Sequence, residues 1–306
     1  MEKTPNLQIN TEESMHAIQI PLQVSSQRRA REVMRQFEHH VDEAFTYYHI
    51  YTDFVQDLKK TYDTILQHIP LDGVTKTCLR IVFPSKRILH YDSMQQLYDY
   101  MKAQFLFVHQ HLDKVILQLP RAGSLKMKKN VYVFGHELDI LNVVLQAHVQ
   151  QNDIEVHITQ QSATGLGREM AKELNRHNIP VHFYADLAIR QAIKKSDYVF
   201  IGAHAIDYNA KVYTTIGAEV VCQIAKEFQK PVYVITDSWA YDLEITSQTD
   251  LGKPAQLWDA PEGVQVHNYN FEKVNPKLIF GFITELGISK PSEFILKVKK
   301  EYANHF

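Results

Sequence analysis

The sequence has 306 residues, 45% of them apolar and 22% charged, with a formal net charge of −2, so it fits an ordinary globular protein of one large domain or two modest ones. This charge balance excludes a basic nucleic-acid footprint or a polybasic membrane anchor, and no apolar run reaches the roughly 18 residues of a transmembrane helix. The start, "MEKTPNLQINTEES", is polar and lacks a signal-peptide core, and two cysteines, Cys78 and Cys222, suggest neither a disulfide framework nor a zinc site. A cytoplasmic protein without a cofactor or metal is expected.

In chain order, residues 1–15 have the composition of a loose tail. From Ser26 the text turns helical, with Val33, Phe37, Val41 and Phe45 at four-residue steps, which puts one apolar stripe on a long helix broken at most once before Pro70. The run "EHHVDE" at 38–43 is expected to be a solvated helix face. The stretch "LDGVTKTCLRIVFPSKR" has the character of a connector or a short extended piece. A second helix is expected from Ser93 to Gln118, ending at Pro120. These elements make a helical N-terminal domain of residues 1–120.

After Pro120 the pattern changes. "NVYVFG", "IEVHIT", "IPVHFY", "DYVFIG" and "PVYVIT" are short runs apolar on both faces, separated by helical segments, as a buried parallel sheet requires. The fold class expected is therefore α/β: helices first, then a Rossmann-like, mostly parallel sheet flanked by helices over residues 121–306. Ligands of such sheets sit beyond the carboxyl ends of the strands, so the turns beginning at Gly135, Gln160, Ala185, Gly202 and Asp237 are where chemistry is sought.

Three of these turns carry candidate groups. In "ITQQSATGLGREMAKEL", Gly165 and Gly167 let amides approach an anion at a helix start and Arg168 can grip phosphate, although Met170 replaces the third glycine of a dinucleotide fingerprint. A flexible turn with a surface arginine is the alternative. In "VFGHELDI", Gly135, His136 and Glu137 end the first strand, but Ile140 stands where a metalloprotease helix needs its second histidine, and Glu137 could simply cap a helix. In "IGAHAIDYNAKVYTTIGAE", His204 can carry a proton near neutral pH, while Asp207 and Asn209 suit turn formation and Thr215 suits either ligand contact or a helix cap. Cys222 falls on a core-facing position, where a thiol is inert.

The same stretch resembles the signature block of the initiation-factor-2B α/β/δ superfamily, which includes methylthioribose-1-phosphate isomerase and ribose-1,5-bisphosphate isomerase. Gly202, Ala203, Ile206, Asn209, Ile216 and Gly217 match it in step. The tail "NFEKVNPKLIFGFITELGISKPSEFI" is similar to the family's closing motif through Phe271, Pro276, Leu278, Ile279, Ile283, Thr284, Glu285, Gly287 and Pro291.

The resemblance implies a helical domain on a Rossmann-like domain that assembles into dimers or larger oligomers. It also implies that the isomerases' proton-carrying Cys and Asp fall near Gly135 or His136 and on His204. The family's Asn-Lys pair falls on Thr214 and Thr215, and a phosphate-binding Arg falls on Ser162, so only Gly167 and Arg168 remain of that set. Each general acid or base supplies roughly a hundred- to ten-thousand-fold, so losing both removes about 5 to 11 kcal/mol of barrier reduction.

The leading expectation is a non-catalytic, regulatory or scaffold relative with a protein partner and a small phosphorylated ligand at Gly135, His136, Glu137, Gly167, Arg168, His204, Asp207, Asn209 and Thr215. The alternative is a sugar-phosphate aldose–ketose isomerase using His136 and His204, with the two rings within about 8 Å.

Overall fold

The computed structural model describes residues 25–302 apart from 70, 84, 86–90, 128, 136, 152, 243 and 246–257. The 1–15 tail and His136 thus lie outside the described residues. Two helices, α1 (Ser26–Tyr47) and α2 (Tyr51–His68), follow the expected apolar stripe with one break, where Tyr48 turns extended. The stretch expected as a connector is instead a helix, α3 (Gly73–Val82). Its signal is the cap: the Asp72 carboxylate accepts from Thr75 N at 3.1 Å and from the Thr75 hydroxyl at 2.7 Å. The β-branched residues of "VTKTCLRIV" disguise it, and burial of both faces overrides their weak helix propensity.

Helix α4 (Met94–Ser124) does not stop at Pro120 but runs one turn past it. The turn before Pro120 is exposed, so water can satisfy the carbonyl that lost its donor. Gly123 is then held against the next helix, because a Cβ there would stand 2.5 Å from Val143 Cγ1. The face at 38–43 is also less solvated than expected: Lys102 of α4 meets Glu38 at 2.6 Å and His40 meets Asp57 of α2 at 2.8 Å.

The five apolar runs form β1 (Asn130–Phe134), β2 (Glu155–Thr159), β3 (Val181–Tyr184), β4 (Tyr198–Gly202) and β7 (Val232–Ile235). Joined by β9 (Gly281–Thr284) and an antiparallel edge strand β10 (Gly287–Ser289), they make a sheet of order β10-β9-β7-β4-β1-β2-β3, otherwise parallel. A small antiparallel sheet, β5 (Ala205–Ile206), β6 (Val212–Thr215) and β8 (Phe271–Val274), stands beside it.

Helices α5 (Leu138–Gln151) and α6 (Leu166–Arg176) pack on one face of the main sheet. Helices α7 (Ile189–Lys195), α8 (Ala218–Glu227) and α9 (Pro291–Glu301) pack on the other. Along β1 the side chains alternate accordingly, Val131 and Val133 into one core and Tyr132 and Phe134 into the other.

This second core is continuous with that of α1–α4. Helix α3 seals the junction: Arg29 pairs with Asp72 at 2.6 Å in the interior, and Gly73 N donates to His204 O at 2.7 Å. Gly73 lies so close to the chain that a Cβ would come within 2.4 Å of Ala240 O. The helical region therefore roofs the carboxyl ends of the strands.

Candidate functional site

The strand order reverses direction between β1 and β4, so the crevice beyond these two strands is the topological switch point at which such sheets hold ligands. Gly135 leaves β1 with φ +98° and open space where a Cβ would be. Its N–H donates to Gln161 Oε1 at 3.1 Å, which ties the ends of β1 and β2 together. Glu137 folds back across β4, and a Cβ on Gly202 would meet its Cγ at 2.3 Å. Only a glycine lets the Glu137 stem lie there.

His204 is buried two residues beyond β4. Tyr213 O and Gly73 N pin its backbone, and its ring stands edge-on to Phe271 with centroids 5.0 Å apart. Nε2 lies 3.4 Å from the Thr215 hydroxyl and 3.6 Å from Glu137 Oε1, while Nδ1 is buried without a hydrogen-bond partner among the described residues. The switch point thus gathers Gly135, Glu137, His204 and Thr215. Thr215 is the last residue of β6, and the following helix is capped by Gly217 in the left-handed region.

Asp207 and Asn209 belong to the β5–β6 hairpin turn. The buried Asp207 carboxylate accepts from Asn209 N at 2.8 Å and Lys211 N at 2.9 Å, and Asn209 is exposed.

At the end of β2, Gly167 is needed for packing: a Cβ there would stand 2.0 Å from Thr159 O. Arg168 is exposed on the first turn of α6. The amides of this loop already hold a carboxylate. Asp186 accepts from Gln161 N at 2.7 Å, Ser162 N at 2.8 Å and the Ser162 hydroxyl at 2.6 Å. Burial pushes the Asp186 carboxyl up, and these hydrogen bonds more than offset it, holding the group below the usual range.

More carboxylates line the strand ends. Asp139, on the first turn of α5, is pushed well above the ordinary carboxylate range, first by burial and then by the charges of Asp237, Glu137 and Glu285. Asp237 follows β7 and Glu285 follows β9. Both are buried, and Glu285 is raised by burial and by Asp237. His111 of α4 reaches Asp237 Oδ1 at 2.8 Å. Of these groups the sequence marked Asp237 as a strand-end turn and Glu285 as part of a closing motif. Gln161, Asp186 and His111 carry no local signal, because their partners are distant in the chain, whereas Asp139 stands in the same strand-end turn as Glu137. The thiols of Cys78 and Cys222 are buried and pushed up by that burial, which for Cys222 agrees with its core-facing position in the sequence.

The sequence model described as Initiation factor 2 subunit family matches residues 23–291. Ribose 1,5-bisphosphate isomerase of Thermococcus kodakarensis is 23% identical over 265 residues, 82% of each chain. Translation initiation factor eIF2B subunit alpha of Dictyostelium discoideum is 28% identical over 177 residues, 53% of this chain and 55% of its own. The second alignment thus spans about half of that relative. Among solved structures, the Pyrococcus horikoshii translation initiation factor eIF-2B superposes with a TM-score of 0.76 at 17% identity, covering 95% of this chain and 100% of that one.

Proposed function

The chain belongs to the initiation factor 2 subunit family, and from that premise we propose that it is a non-catalytic member, an oligomeric scaffold of the translation-initiation-factor type. The observation that carries this reading lies at the end of β2: the amides best placed for an anion are already held by Asp186, and Glu137 stands beside His204 in the crevice.

A phosphorylated sugar brought there finds those amides taken and Glu137 close by, and like charges in a poorly solvated site are costly. Arg29 and Arg80 bring no relief, since they are paired with Asp72 and Asp242. Arg168, exposed beside the β2 loop, is the group through which a phosphorylated ligand would dock at the rim. Exposed apolar side chains on the α/β part, among them Val220, Phe280 and Leu296, support association of copies or capture of a protein partner.

Turnover tests this reading. The purified chain mixed with ribose 1,5-bisphosphate or methylthioribose 1-phosphate is expected to leave the aldose unchanged by NMR. Ketose formation that disappears in His204→Ala would refute the proposal.

One observation favours the isomerase instead. The buried, unpartnered Nδ1 of His204, with Glu137 3.6 Å from Nε2, is the kind of imidazole–carboxylate couple that can pass a proton. In that reading His136 supplies the second proton carrier.

A further inference from the structure

One buried polar cluster takes no part in the proposed function. His111 of α4, Asp237 after β7 and Glu285 after β9 come from three separate elements and are 5%, 0% and 6% exposed. One donor atom from each lies within 4.8 Å of the other two. Two carboxylates and an imidazole this deep in the interior all need partners, because a buried polar or charged group left unsatisfied is costly.

Glu285 accepts from Ser238 N at 3.0 Å and from the Ser238 hydroxyl, but the hydrogen bonds leave Asp237 incomplete. Asp237 Oδ1 is occupied, by His111 Nε2 and by Trp239 N at 2.8 Å each. Its second oxygen, Oδ2, is buried and has no hydrogen-bond partner among the described residues. A divalent cation satisfies that vacant lone pair.

We propose that His111, Asp237 and Glu285 hold a structural zinc ion that clips the helical region to the strand ends. One imidazole and two carboxylates suit a borderline ion better than magnesium or calcium, which take oxygen ligands. Ligand–zinc distances of about 2.0–2.2 Å set tetrahedral donors about 3.4 Å apart, so His111 Nε2 and Asp237 Oδ1, 2.8 Å apart, move apart to admit the ion.

Protons balance if the imidazole changes tautomer. Nε2 gives its lone pair to zinc, and the proton moves to Nδ1, which donates to the Tyr302 hydroxyl oxygen 3.3 Å away. Tyr302 in turn donates to Glu285 Oε1 at 3.3 Å, so it orients both ligands without touching the metal. The His111 ring is further fixed by stacking on Trp239, with centroids 3.6 Å apart and planes within 4°. A site this buried loads during folding and exchanges slowly.

The test uses the full chain, produced in zinc-supplemented medium, gel-filtered without chelator and analysed by plasma mass spectrometry. About one zinc per chain is expected. Refolding with chelator in place of zinc is expected to lower the melting temperature by about 5 °C or more. Trp239 gives a local readout, because the chain has only two tryptophans. In a Trp258→Phe background, refolding with cobalt is expected to quench Trp239 emission.

Asp237→Asn and Glu285→Gln should each lose the zinc and the quenching. Should those variants fail to fold, the metal content and cobalt quenching of the wild-type chain still decide. Wild-type protein without zinc after refolding in its presence would overturn the proposal. Zinc that survives both substitutions with Trp239 unquenched would overturn it too, since the ion would then sit elsewhere.

Discussion

Gly165 and Gly167 read alike in the sequence, yet the structure gives them different work. Gly165 has φ +73° and free space around it, so Gly165→Ala meets only backbone strain, about 1 kcal/mol. Gly167 touches the β2 carbonyl, so Gly167→Ala must move backbone and should cost more than about 2 kcal/mol, both read from urea unfolding. Equal losses would show that the contact with Thr159 yields easily. The carboxylates titrate with opposite signs. Asp186 is held below its unfolded value, so it stabilises above pH ~4 and that contribution is lost as acid protonates the folded state. Asp139 is raised, so the folded state binds its proton more tightly and stability falls as pH climbs above its unfolded value. Asp139→Asn should therefore melt above the wild type at pH 8 and level with it near pH 3, whereas Asp186→Asn should melt below it at pH 8. Reversed order at pH 8 would mean the electrostatic reading of the strand ends is wrong.

At the scale of elements, α3 carries the junction between the helical region and the strand ends. Asp72 caps this helix and also neutralises the buried Arg29. Asp72→Ala removes both the cap and a buried charge-assisted hydrogen bond to Arg29, so a loss of about 2–5 kcal/mol is expected in chemical denaturation. A loss under 1 kcal/mol would show that Arg29 finds water or another partner. The same helix shows where sequence reading stops. Strands β1, β2, β4 and β7 were legible because both faces of each are apolar and buried; β3 was found by the same pattern but, as the edge strand, leaves His182 and Phe183 exposed. Helix α3 was not, because its β-branched residues mask a helix that only burial makes stable. Strands β5 and β8 escape for another reason: β5 is two residues long, and β8, "FEKV", carries two charges in a small side sheet. Helix α4 passes Pro120 because packing of Gly123 on Val143 outweighs one missing hydrogen bond. The site was legible where a turn follows a strand, as at Gly135, Glu137 and His204. Asp186 and His111 were not, since a carboxylate 25 residues from its amides and a histidine 126 residues from its aspartate leave no local trace.

For the whole molecule, the helical region and the α/β region share one continuous apolar core, so they should unfold together. No helix among the described residues is long and apolar enough to cross a membrane. As a scaffold, the chain is expected to sediment as a dimer or larger species at micromolar concentration in analytical ultracentrifugation. A monomer throughout would remove the oligomeric part of the proposal. The central claim is that the crevice between β1 and β4 kept its shape in a family that includes isomerases while its chemistry changed to a carboxylate beside a buried imidazole. Single-turnover NMR tests it most directly, with the chain in molar excess over ribose 1,5-bisphosphate so that even one slow conversion per molecule is seen. The result expected is an aldose spectrum that stays the same for a day. A ketose signal that grows with protein concentration and vanishes with His204→Ala would contradict the account.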